Sequence, residues 1–555
     1  MLSAPEILSA AVERALGAPA LLRACADPKF GDYQANGIMA VAKQQKQNPR
    51  ALAEQIIAQL DVAGICEPPT VAGAGFINFK LKPDFVIQQT AAVANDLRLG
   101  VPAVSPAQTI VLDYSGPNVA KLMHVGHIRS TIIGDCLTRV ARLLGHRVIT
   151  DNHIGDWGTQ FGMLILGWKQ FRNDAALATD PIAELERLYK HVNAQDQLRD
   201  AAKAELVKLQ QGDAENRAIW QRIIELSQQQ FSQTYARLGV TFDHALGESF
   251  YNSRLAGVVG DLRQRGLARE SEGAICYFAE GEETPLIIQK SDGGYGYGTT
   301  DLATVQYRVE QWQPDVIVYV TDARQQLHFK QVFAAARQWL PHPPRLEHVT
   351  FGSILGEDRK PLKTRSGENV KLAELLDEAE ERALAVVTQK NPELPDETRR
   401  QIARTIGIGA VKYADLSQNR ITDYIFSWDK MLALDGNTAP YLQYAYVRVQ
   451  SIFRKAGPTQ TLGQIALGHS SELDLAKHIL RFHETLQATL ADYKPNWLTG
   501  YLYDLAGKFS VFYDNCPVIQ SAEPVRGSRL TLCRLTADVL KEGLHLLGIE
   551  VSDQM

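Results

Sequence analysis

The chain has 555 residues, of which 45% are hydrophobic and 22% charged, and its formal net charge at pH 7 is −5. The length exceeds what one hydrophobic core can organise, so we expect about three or four domains in a globular protein. No apolar run has the length of a membrane span, which excludes a transmembrane protein, and the acidic balance leaves any nucleic-acid binding to local basic surfaces.

Cysteine usage and the N-terminus indicate a cytoplasmic protein. The six cysteines form no CxxC pair, which argues against a disulfide framework or a structural zinc site. Residues 1–17 carry Glu6 and Glu13 without a basic n-region, so they make a poor signal peptide and favour an amphipathic helix.

Residues 1–105 form the first predicted domain, of α+β type. After the opening helix come the segment KFGDYQANG at 29–37, a helical pattern at 49–60 and the strand-like GAGFINFKL at 73–81. Residues 101–108, VPAVSPAQ, contain two prolines among small residues, which is typical of a linker to the next domain.

Residues 106–371 form the second predicted domain, in which strand-like and helix-like segments alternate. Strands are predicted at Ile110–Asp113, Arg147–Thr150 and Val316–Val320, the last a continuous apolar run typical of a strand buried on both faces. The alternation predicts an α/β fold with a Rossmann-like doubly wound parallel sheet. Residues 182–233 are rich in Ala, Glu, Lys, Gln and Leu and predict a helical insertion.

Residues 372–555 form the third predicted domain and have almost wholly helical patterns. Long amphipathic segments at 473–492 and 530–547 predict an all-α helical bundle. Without coiled-coil heptads to argue for a dimer, we expect a monomer.

The segment DYSGPNVAKLMHVGHIRSTIIGD at 113–135 carries the strongest chemical signal. It follows a predicted strand, turns through SGPN and places His124 and His127 around Gly126, with a helix expected from about Ile128. Glycine lets the backbone approach a flat ligand, and helix N-terminal amides together with imidazoles can neutralise phosphate oxygens. The pattern predicts a nucleoside triphosphate site; the structural alternative is a histidine that only caps a helix.

With its flanking residues this segment resembles the signature of class I aminoacyl-tRNA synthetases, in the SxPNxAKxxHxGHxRS form of arginyl-tRNA synthetases. Other segments resemble further parts of that family, from the N-terminal added domain through the catalytic blocks to the anticodon-binding helices. These are KFGDYQAN at 29–36, HIGDWGTQFG at 153–162, DGGYGYGTTDLA at 292–303, VTDARQQLHFKQVF at 320–333, GNTAPYLQYAYVRV at 436–449 and LKEGLHLLGIEVSDQM at 540–555. The resemblance covers nearly the whole chain and is weakest near 182–233.

The resemblance implies ATP-dependent activation of L-arginine to arginyl-adenylate, followed by transfer to the 3′ end of tRNA(Arg). It implies that activation needs bound tRNA. ATP is expected as its Mg²⁺ complex, with no tightly bound cofactor, no protein metal site and no membrane partner. The first domain would contact the tRNA elbow and the third would bind the anticodon, while the catalytic domain lies between them.

An arginine pocket has clear chemical requirements. A guanidinium has five donors and a permanent charge, so it needs a carboxylate, further acceptors and preferably an aromatic wall. Asp301 and Tyr297 are four residues apart and would share one face of a helix. Without the resemblance, Tyr297 would be ordinary loop packing and Asp301 a helix N-cap. The resemblance places Ser115, Asn118 and Gln325 at the amino-acid backbone and Tyr297 and Asp301 at the guanidinium, and Asn152 could help to hold the polar end.

The resemblance also assigns residues to ATP. The charge-neutralising catalytic groups are His124, His127 and Lys121. Further ATP contacts are Val125, Gly126, Lys363 and Arg365.

The chain departs from the class pattern in its lysine loop. In GEDRKPLKTRSGENV at 356–370, the residues where most class I enzymes have KMSK are Pro361, Leu362, Lys363 and Thr364, so the second lysine is absent. Arginyl enzymes tend to carry a lysine just upstream of the histidine motif, and Lys121 matches it. The structural alternative for Lys121 is a solvated lysine on a turn.

Candidate tRNA contacts are expected at both ends of the chain. Stacking faces and polar side chains there could meet unpaired bases and phosphates, although tyrosines at helical spacing are more often core residues. The candidates are Phe30, Tyr33, Gln34, Asn36, Tyr441, Tyr444 and Arg448.

Two other functions remain open at this point. One is another class I synthetase or nucleotidyltransferase, although a cysteinyl enzyme would bring a zinc-ligand cluster and a small adenylylating ligase would lack the helical end. The other is a tRNA-binding relative without catalysis, which the altered lysine loop favours and the intact histidine motif does not. The chain has no apparent editing domain, in keeping with a polar substrate that a matched site discriminates well.

Overall fold

The computed structural model describes residues 3–25, 27–363, 370–457 and 462–553. The strands in chain order are β1 Leu22–Ala24, β2 Tyr33–Ala35, β3 Thr70–Ala72, β4 Phe76–Phe79, β5 Thr109–Tyr114, β6 Arg147–Asp151, β7 Ala268–Ser271, β8 Ala274–Tyr277, β9 Leu286–Gln289, β10 Val316–Asp322, β11 Arg345–Phe351, β12 Ile354–Leu355 and β13 Tyr424–Ile425. The helices are α1 Ala4–Leu16, α2 Ile38–Gln45, α3 Pro49–Ile57, α4 Pro83–Val93, α5 Val125–Leu143, α6 Gln160–Phe171, α7 Asp174–Thr179, α8 Pro181–Asn193, α9 Arg199–Gln211, α10 Ala214–Leu238, α11 Asn252–Gln264, α12 Tyr297–Trp312, α13 Gln326–Trp339, α14 Leu372–Lys390, α15 Asp396–Leu416, α16 Trp428–Met431, α17 Ala439–Ala456, α18 Ser470–Ile479, α19 Phe482–Asp492, α20 Pro495–Asn515 and α21 Val525–Leu546.

A parallel sheet in the order β11-β10-β5-β6 forms the centre of the second predicted domain. It confirms the α/β prediction and the three predicted strands. The residues of VIVYV in β10 are at most 2% exposed, as expected for a strand covered on both faces. Helices α12 and α13 share one apolar core with the sheet, and α5 contacts β5, β6 and β10.

Helix α5 packs very closely on β5. A side chain at Gly134 of α5 would place its Cβ 2.2 Å from Cγ of Tyr114, so only glycine fits there. This approach brings the N-terminus of α5 to the edge of the sheet where β5 ends.

The regions around the sheet differ in part from the predictions. The predicted helical insertion is confirmed as α8, α9 and α10, whereas the antiparallel sheet of β7, β8 and β9 was not predicted. The expected continuous helix at 473–492 is wrong, because it is divided into α18 and α19. The expected start of α5 near Ile128 is also wrong, because the helix begins at Val125 with His124 as its N-cap.

The chain divides into two compact units. One comprises Met1–Pro102, Tyr444–Ala488 and Gly500–Gly543; the other comprises Ala103–Gln443, Thr489–Thr499 and Leu544–Met555. The predicted helical character of the end of the chain is confirmed, and residues 372–443 lie in the same unit as the parallel sheet.

Within the first unit, N-terminal and C-terminal segments are joined by polar contacts. Lys477 of α18 donates to both carboxylate oxygens of Asp32, at 2.8 and 2.9 Å. Arg534 of α21 donates to the carbonyl oxygen of Ala94. None of the helices in the described ranges combines the length and apolar character needed to cross a bilayer.

Candidate active site

A cavity of about 580 Å³ opens at the carboxyl ends of β5 and β10. Ligands bind at this position in open α/β sheets, because chain connections leave the sheet in opposite directions there. The structure brings together eight of the predicted site residues in its lining. These are Ser115, Asn118, His124, Gly126, His127, Tyr297, Asp301 and Gln325.

The two histidines of the signature cap the start of α5, with His124 as the N-cap and His127 in the first turn. Nδ1 of His124 accepts a hydrogen bond from the Gly126 amide at 3.0 Å, and Nδ1 of His127 accepts one from the His124 amide at 3.1 Å. A side chain at Gly126 would put its Cβ 2.8 Å from Cε1 of His124, so glycine is required by this cap. The capping interpretation is therefore right about the geometry, yet it uses only one nitrogen of each ring.

The remaining ring nitrogens are available as donors. Because both Nδ1 atoms accept hydrogen bonds, a neutral ring carries its hydrogen on Nε2. Burial and the charges of nearby cations lower the pKa of His124, and burial lowers the pKa of His127 to about 3. Both rings are thus neutral Nε2–H donors near pH 7, suited to phosphate oxygens without adding charge to a buried site.

Helix α12 carries Tyr297 and Asp301, the two residues predicted to contact a guanidinium. It begins at Tyr297 and places Asp301 one turn later, which confirms that they share a helical segment. The N-cap of this helix is Gly296, so the alternative of Asp301 as an N-cap is wrong. Tyr297 is 74% exposed, which leaves its ring open at the mouth of the cavity.

Another acidic residue of the cavity lining, Glu248, was not predicted. Glu248 follows Gly247 in a 3-10 turn between α10 and α11. Burial, together with the negative charges of Asp301 and Asp156, raises the pKa of Glu248 to about 8. A substrate cation would relieve this repulsion. Since Glu248 stands in an irregular segment far from the other site residues in sequence, no local pattern signals it.

A hydrogen-bond network shapes the turn after β5. Ser115 has a φ of 75°, a strained conformation for a residue with a side chain, and its hydroxyl lies 2.8 Å from the hydroxyl of Tyr235. Asn152 is 2% exposed; its Oδ1 accepts from the Gly116 amide at 3.0 Å and its Nδ2 donates to the Tyr235 hydroxyl at 3.0 Å. Asn152 thus supports this turn from behind, and Tyr235, from the helical insertion, is another residue that sequence reasoning missed.

A buried ion cluster fixes the ends of two strands beneath the cavity. Asp113 and Asp151 are direct partners in the pairing of β5 with β6. Arg308 of α12 donates to both, at 2.6 and 2.8 Å, and its side chain is fully buried. Two adjacent buried carboxylates would repel each other, so this guanidinium is needed for the strand ends to stay together.

The candidate phosphate-binding lysines lie outside the cavity lining. Lys121 is exposed, with Nζ 5.9 Å from the centre of the Tyr189 ring, but its charge contributes to lowering the pKa of both signature histidines. Lys363 is exposed at the end of a described segment, whereas Thr364 and Arg365 lie outside the described residues.

The chain that leaves the lysine loop is joined to the histidine motif. The Val125 amide donates to the carbonyl oxygen of Val370 at 3.0 Å, and the Leu372 amide donates to that of Met123 at 2.9 Å. The Val125 side chain is buried, so this residue contributes to the junction through its backbone amide. At the other end, β12 pairs with β13 just before the loop begins.

The candidate tRNA contacts of the N-terminal segment differ in accessibility. Phe30 is 44% exposed, whereas Tyr33 is 5% exposed and cannot offer a stacking face without rearrangement. Gln34 donates from Nε2 to Oδ1 of Asn78 at 2.8 Å. Asn36 is half-buried, and its backbone N–H donates to the carbonyl oxygen of Ala20.

The candidates on α17 also differ. Tyr444 is 53% exposed, while Tyr441 is half-buried. The guanidinium of Arg448 lies 4.6 Å from the centre of the Tyr513 ring and 3.6 Å from Oδ1 of Asp514. The core interpretation applies to the nearby Tyr446, which is 3% exposed.

Comparisons with known proteins agree with this geometry. Family models match for the catalytic domain of class I (R) tRNA synthetases at residues 88–428, for the DALR anticodon-binding domain at 442–555 and for the arginyl-tRNA synthetase N-terminal domain at 4–81. The chain is 47% identical to the arginine–tRNA ligase of Hahella chejuensis, covering 97% of this chain and 96% of that protein. It is 48% identical to the arginine–tRNA ligase of Escherichia coli O157:H7, covering 99% of each.

Solved structures give the same result. The arginyl-tRNA synthetase of Plasmodium falciparum matches with a TM-score of 0.85 and 31% identity over 99% of this chain and 98% of that one. The arginyl-tRNA synthetase of Thermus thermophilus has the same fold, with a TM-score of 0.85 and 24% identity over the whole of both chains.

Proposed function

The chain belongs to the arginyl-tRNA synthetase family, and on that premise we propose how its residues carry out arginine–tRNA ligation. The observation that carries the proposal is one cavity whose lining contains His124 and His127 together with the carboxyl groups of Asp301 and Glu248. The histidines offer donors for phosphate oxygens, and the carboxyl groups offer acceptors for a guanidinium. Arginine and ATP bound there would have the carboxylate of one near the α-phosphate of the other, which is the arrangement that adenylate formation requires.

In this proposal the cavity holds arginine by both ends. Asp301 and Glu248 accept from the guanidinium, with the Tyr297 ring as a wall, while Ser115, Asn118 and Gln325 contact the amino-acid backbone. Asn152 acts through the turn at Gly116. The triphosphate, as its Mg²⁺ complex, takes donors from His124 and His127, and Gly126 leaves room for its close approach. Lys363 and Arg365 are further phosphate contacts.

The experiment that tests this assignment is aminoacylation of bulk tRNA with each proteinogenic amino acid in turn. Only arginine is expected to be attached, because a lysine would leave buried acceptors of the pocket without partners. Charging with lysine at a comparable rate would contradict the proposed pocket.

We propose that Lys121 compensates for the lysine missing from the loop. Replacement of Lys121 by alanine is expected to lower the rate of arginyl-adenylate formation about tenfold to a hundredfold, with little change in arginine affinity, since a cation on the developing pyrophosphate acts only during the reaction. Single-turnover kinetics and equilibrium binding of arginine measure the two effects separately. The matched control is Tyr189→Leu, which removes the ring near Lys121 and keeps the ammonium group. An unchanged rate in Lys121→Ala would rule out the compensation.

We propose that tRNA is needed for activation. ATP–pyrophosphate exchange is expected only when tRNA(Arg) is added, because the α-phosphate and the arginine carboxylate would be aligned only in the tRNA complex. The control is tRNA oxidised at its 3′ end, which cannot accept arginine but should still support exchange. Robust exchange by the protein alone would contradict the requirement.

The remaining assignments concern partners and organisation. We propose three functional parts, with residues 1–105 contacting the tRNA elbow through Phe30, Gln34 and Asn36, and through Tyr33 only if its buried ring rearranges. Residues 106–371 carry catalysis and 372–555 bind the anticodon, with Tyr441, Tyr444 and Arg448 as candidates. The exposure of Phe30 and Tyr444 supports them best as stacking contacts. The enzyme would act as a cytoplasmic monomer.

A further inference from the structure

One histidine in the cavity makes a contact that the proposed reaction does not require. His328 of α13 lies with Nε2 2.5 Å from Oδ2 of Asp301, the principal candidate for the guanidinium. The exposed fractions of the two side chains are 28% and 17%, so the contact is partly shielded from water. Both residues line the cavity.

The surroundings favour a charged pair. Burial opposes a charged imidazole, but the hydrogen bond to Asp301 and its negative charge outweigh it and raise the pKa of His328. The other titratable groups that face this pair are Glu248, Tyr319 and His348, and Nε2 of His348 lies 2.7 Å from the Thr321 hydroxyl. Within the described part of the chain, His328 is the one cation paired with Asp301.

Arrival of arginine changes this balance. A guanidinium cannot give up its charge, whereas an imidazolium can. Two cations on one shielded carboxylate repel each other, so the lower free energy is reached when the imidazolium loses its proton to solvent. The neutral ring keeps Nε2–H as a donor to Oδ2, and Oδ1 of Asp301 stays open to the guanidinium.

We propose that His328 is a positioning residue of the guanidinium pocket, which holds the Asp301 carboxylate in place while the pocket is empty and releases its proton when the substrate cation binds. The inference rests on the proposed arginine pocket. An arginine-shaped but neutral side chain would not displace the proton and would find Asp301 already paired. His328 would thereby add to discrimination by charge, beyond what hydrogen-bond matching provides.

Proton release can be counted by calorimetry. Arginine is titrated into the full chain, with and without tRNA(Arg), at pH 7 in two buffers that differ in ionisation enthalpy. The wild type is expected to release protons from two sources, His328 and Glu248. Glu248→Gln should no longer release the proton of the Glu248 carboxyl group but should still release that of His328. His328→Gln, whose amide still donates to Asp301, should no longer release the histidine proton.

Affinity gives a second readout. His328→Gln is expected to bind arginine within about threefold of the wild type at pH 8. The wild type should bind arginine more weakly at pH 6 than at pH 8, and this difference should be smaller in His328→Gln. His328→Ala leaves Asp301 without its donor and should bind arginine about tenfold more weakly at both pH values, since a hydrogen bond to a charged group is lost. A merely structural histidine would not link affinity to pH in this way.

The outcomes separate the inference from the proposed pocket. If Asp301→Ala binds arginine normally, the pocket itself is misplaced. If binding depends on Asp301 while wild type and His328→Gln release equal numbers of protons, only the role of His328 is overturned. If the His328 variants fail to fold, Glu248→Gln alone decides. Protons that this variant releases on binding arginine must come from the His328–Asp301 pair. Binding without proton release would refute the proposal.

Discussion

Asp301→Ala is expected to raise the KM for arginine by about two to three orders of magnitude. Removing one partner of a shielded charge pair costs about 3–5 kcal/mol, and about 1.4 kcal/mol corresponds to a factor of ten in affinity. The loss should fall on arginine, while the KM for ATP changes little, because the Asp301 carboxylate is an acceptor for the guanidinium and offers no donor to the phosphates. Steady-state exchange kinetics with varied arginine and varied ATP measure the two constants.

The controls for Asp301 use the same helix. Asp301→Asn keeps the shape and one acceptor, so it should lie between wild type and alanine. Glu310 also belongs to α12 but pairs with Arg254 at 2.7 Å outside the cavity lining, and Glu310→Gln should leave both KM values unchanged. A KM for arginine within threefold of wild type in Asp301→Ala would remove this residue from the pocket.

His124→Asn is expected to lower the rate of adenylate formation by about 10²–10³, the usual effect of losing one donor to a developing oxyanion. Asparagine is a favoured N-cap, so the substitution preserves the start of α5 and deletes the Nε2–H donor. Arginine affinity should stay close to that of the wild type. Rapid quench of a single turnover with bound tRNA measures the rate directly.

The control for His124 is another histidine that only accepts a backbone hydrogen bond. Nδ1 of His146 accepts from the Gln108 amide at 3.2 Å, and His146→Asn should retain full activity. Because lowered pKa values keep His124 and His127 largely neutral from about pH 7 upward, the rate at saturating arginine should not vary through their ionisation between about pH 7 and 8. A rate that falls as they titrate in this range would show that they act as cations.

The parallel sheet and the signature helix could be predicted because their signals are local. An apolar β-branched run such as VIVYV has few alternatives to a buried strand, and the glycine between two histidines marks a close backbone approach. The spacing of four between Tyr297 and Asp301 predicted that they would share a helix face, although not where α12 begins or ends. By contrast, the division between α18 and α19 falls at Leu480 and Arg481, where neither glycine nor proline signals an interruption.

The rest of the site depends on residues that are distant in sequence. Tyr235 lies near the end of α10 and Glu248 in the turn that follows it, just beyond the 182–233 segment where the resemblance was weakest. Their roles arise only when the chain brings them to the ends of β5 and β10. The pairing of His328 with Asp301 likewise joins two helices. Both residues could be picked out in the sequence, but the contact between them could not be predicted.

The cluster of Arg308, Asp113 and Asp151 bears on how the sheet selects its alignment. Strands buried on both faces carry apolar residues on both sides, so a shift by one residue costs little hydrophobic burial. The same shift would separate Asp113 from Asp151 and leave the guanidinium of Arg308 with one partner. The buried guanidinium of Arg308 thereby makes one alignment of β5 and β6 far more favourable than the neighbouring alignments. The dimensions of the cavity above the strands depend on that alignment.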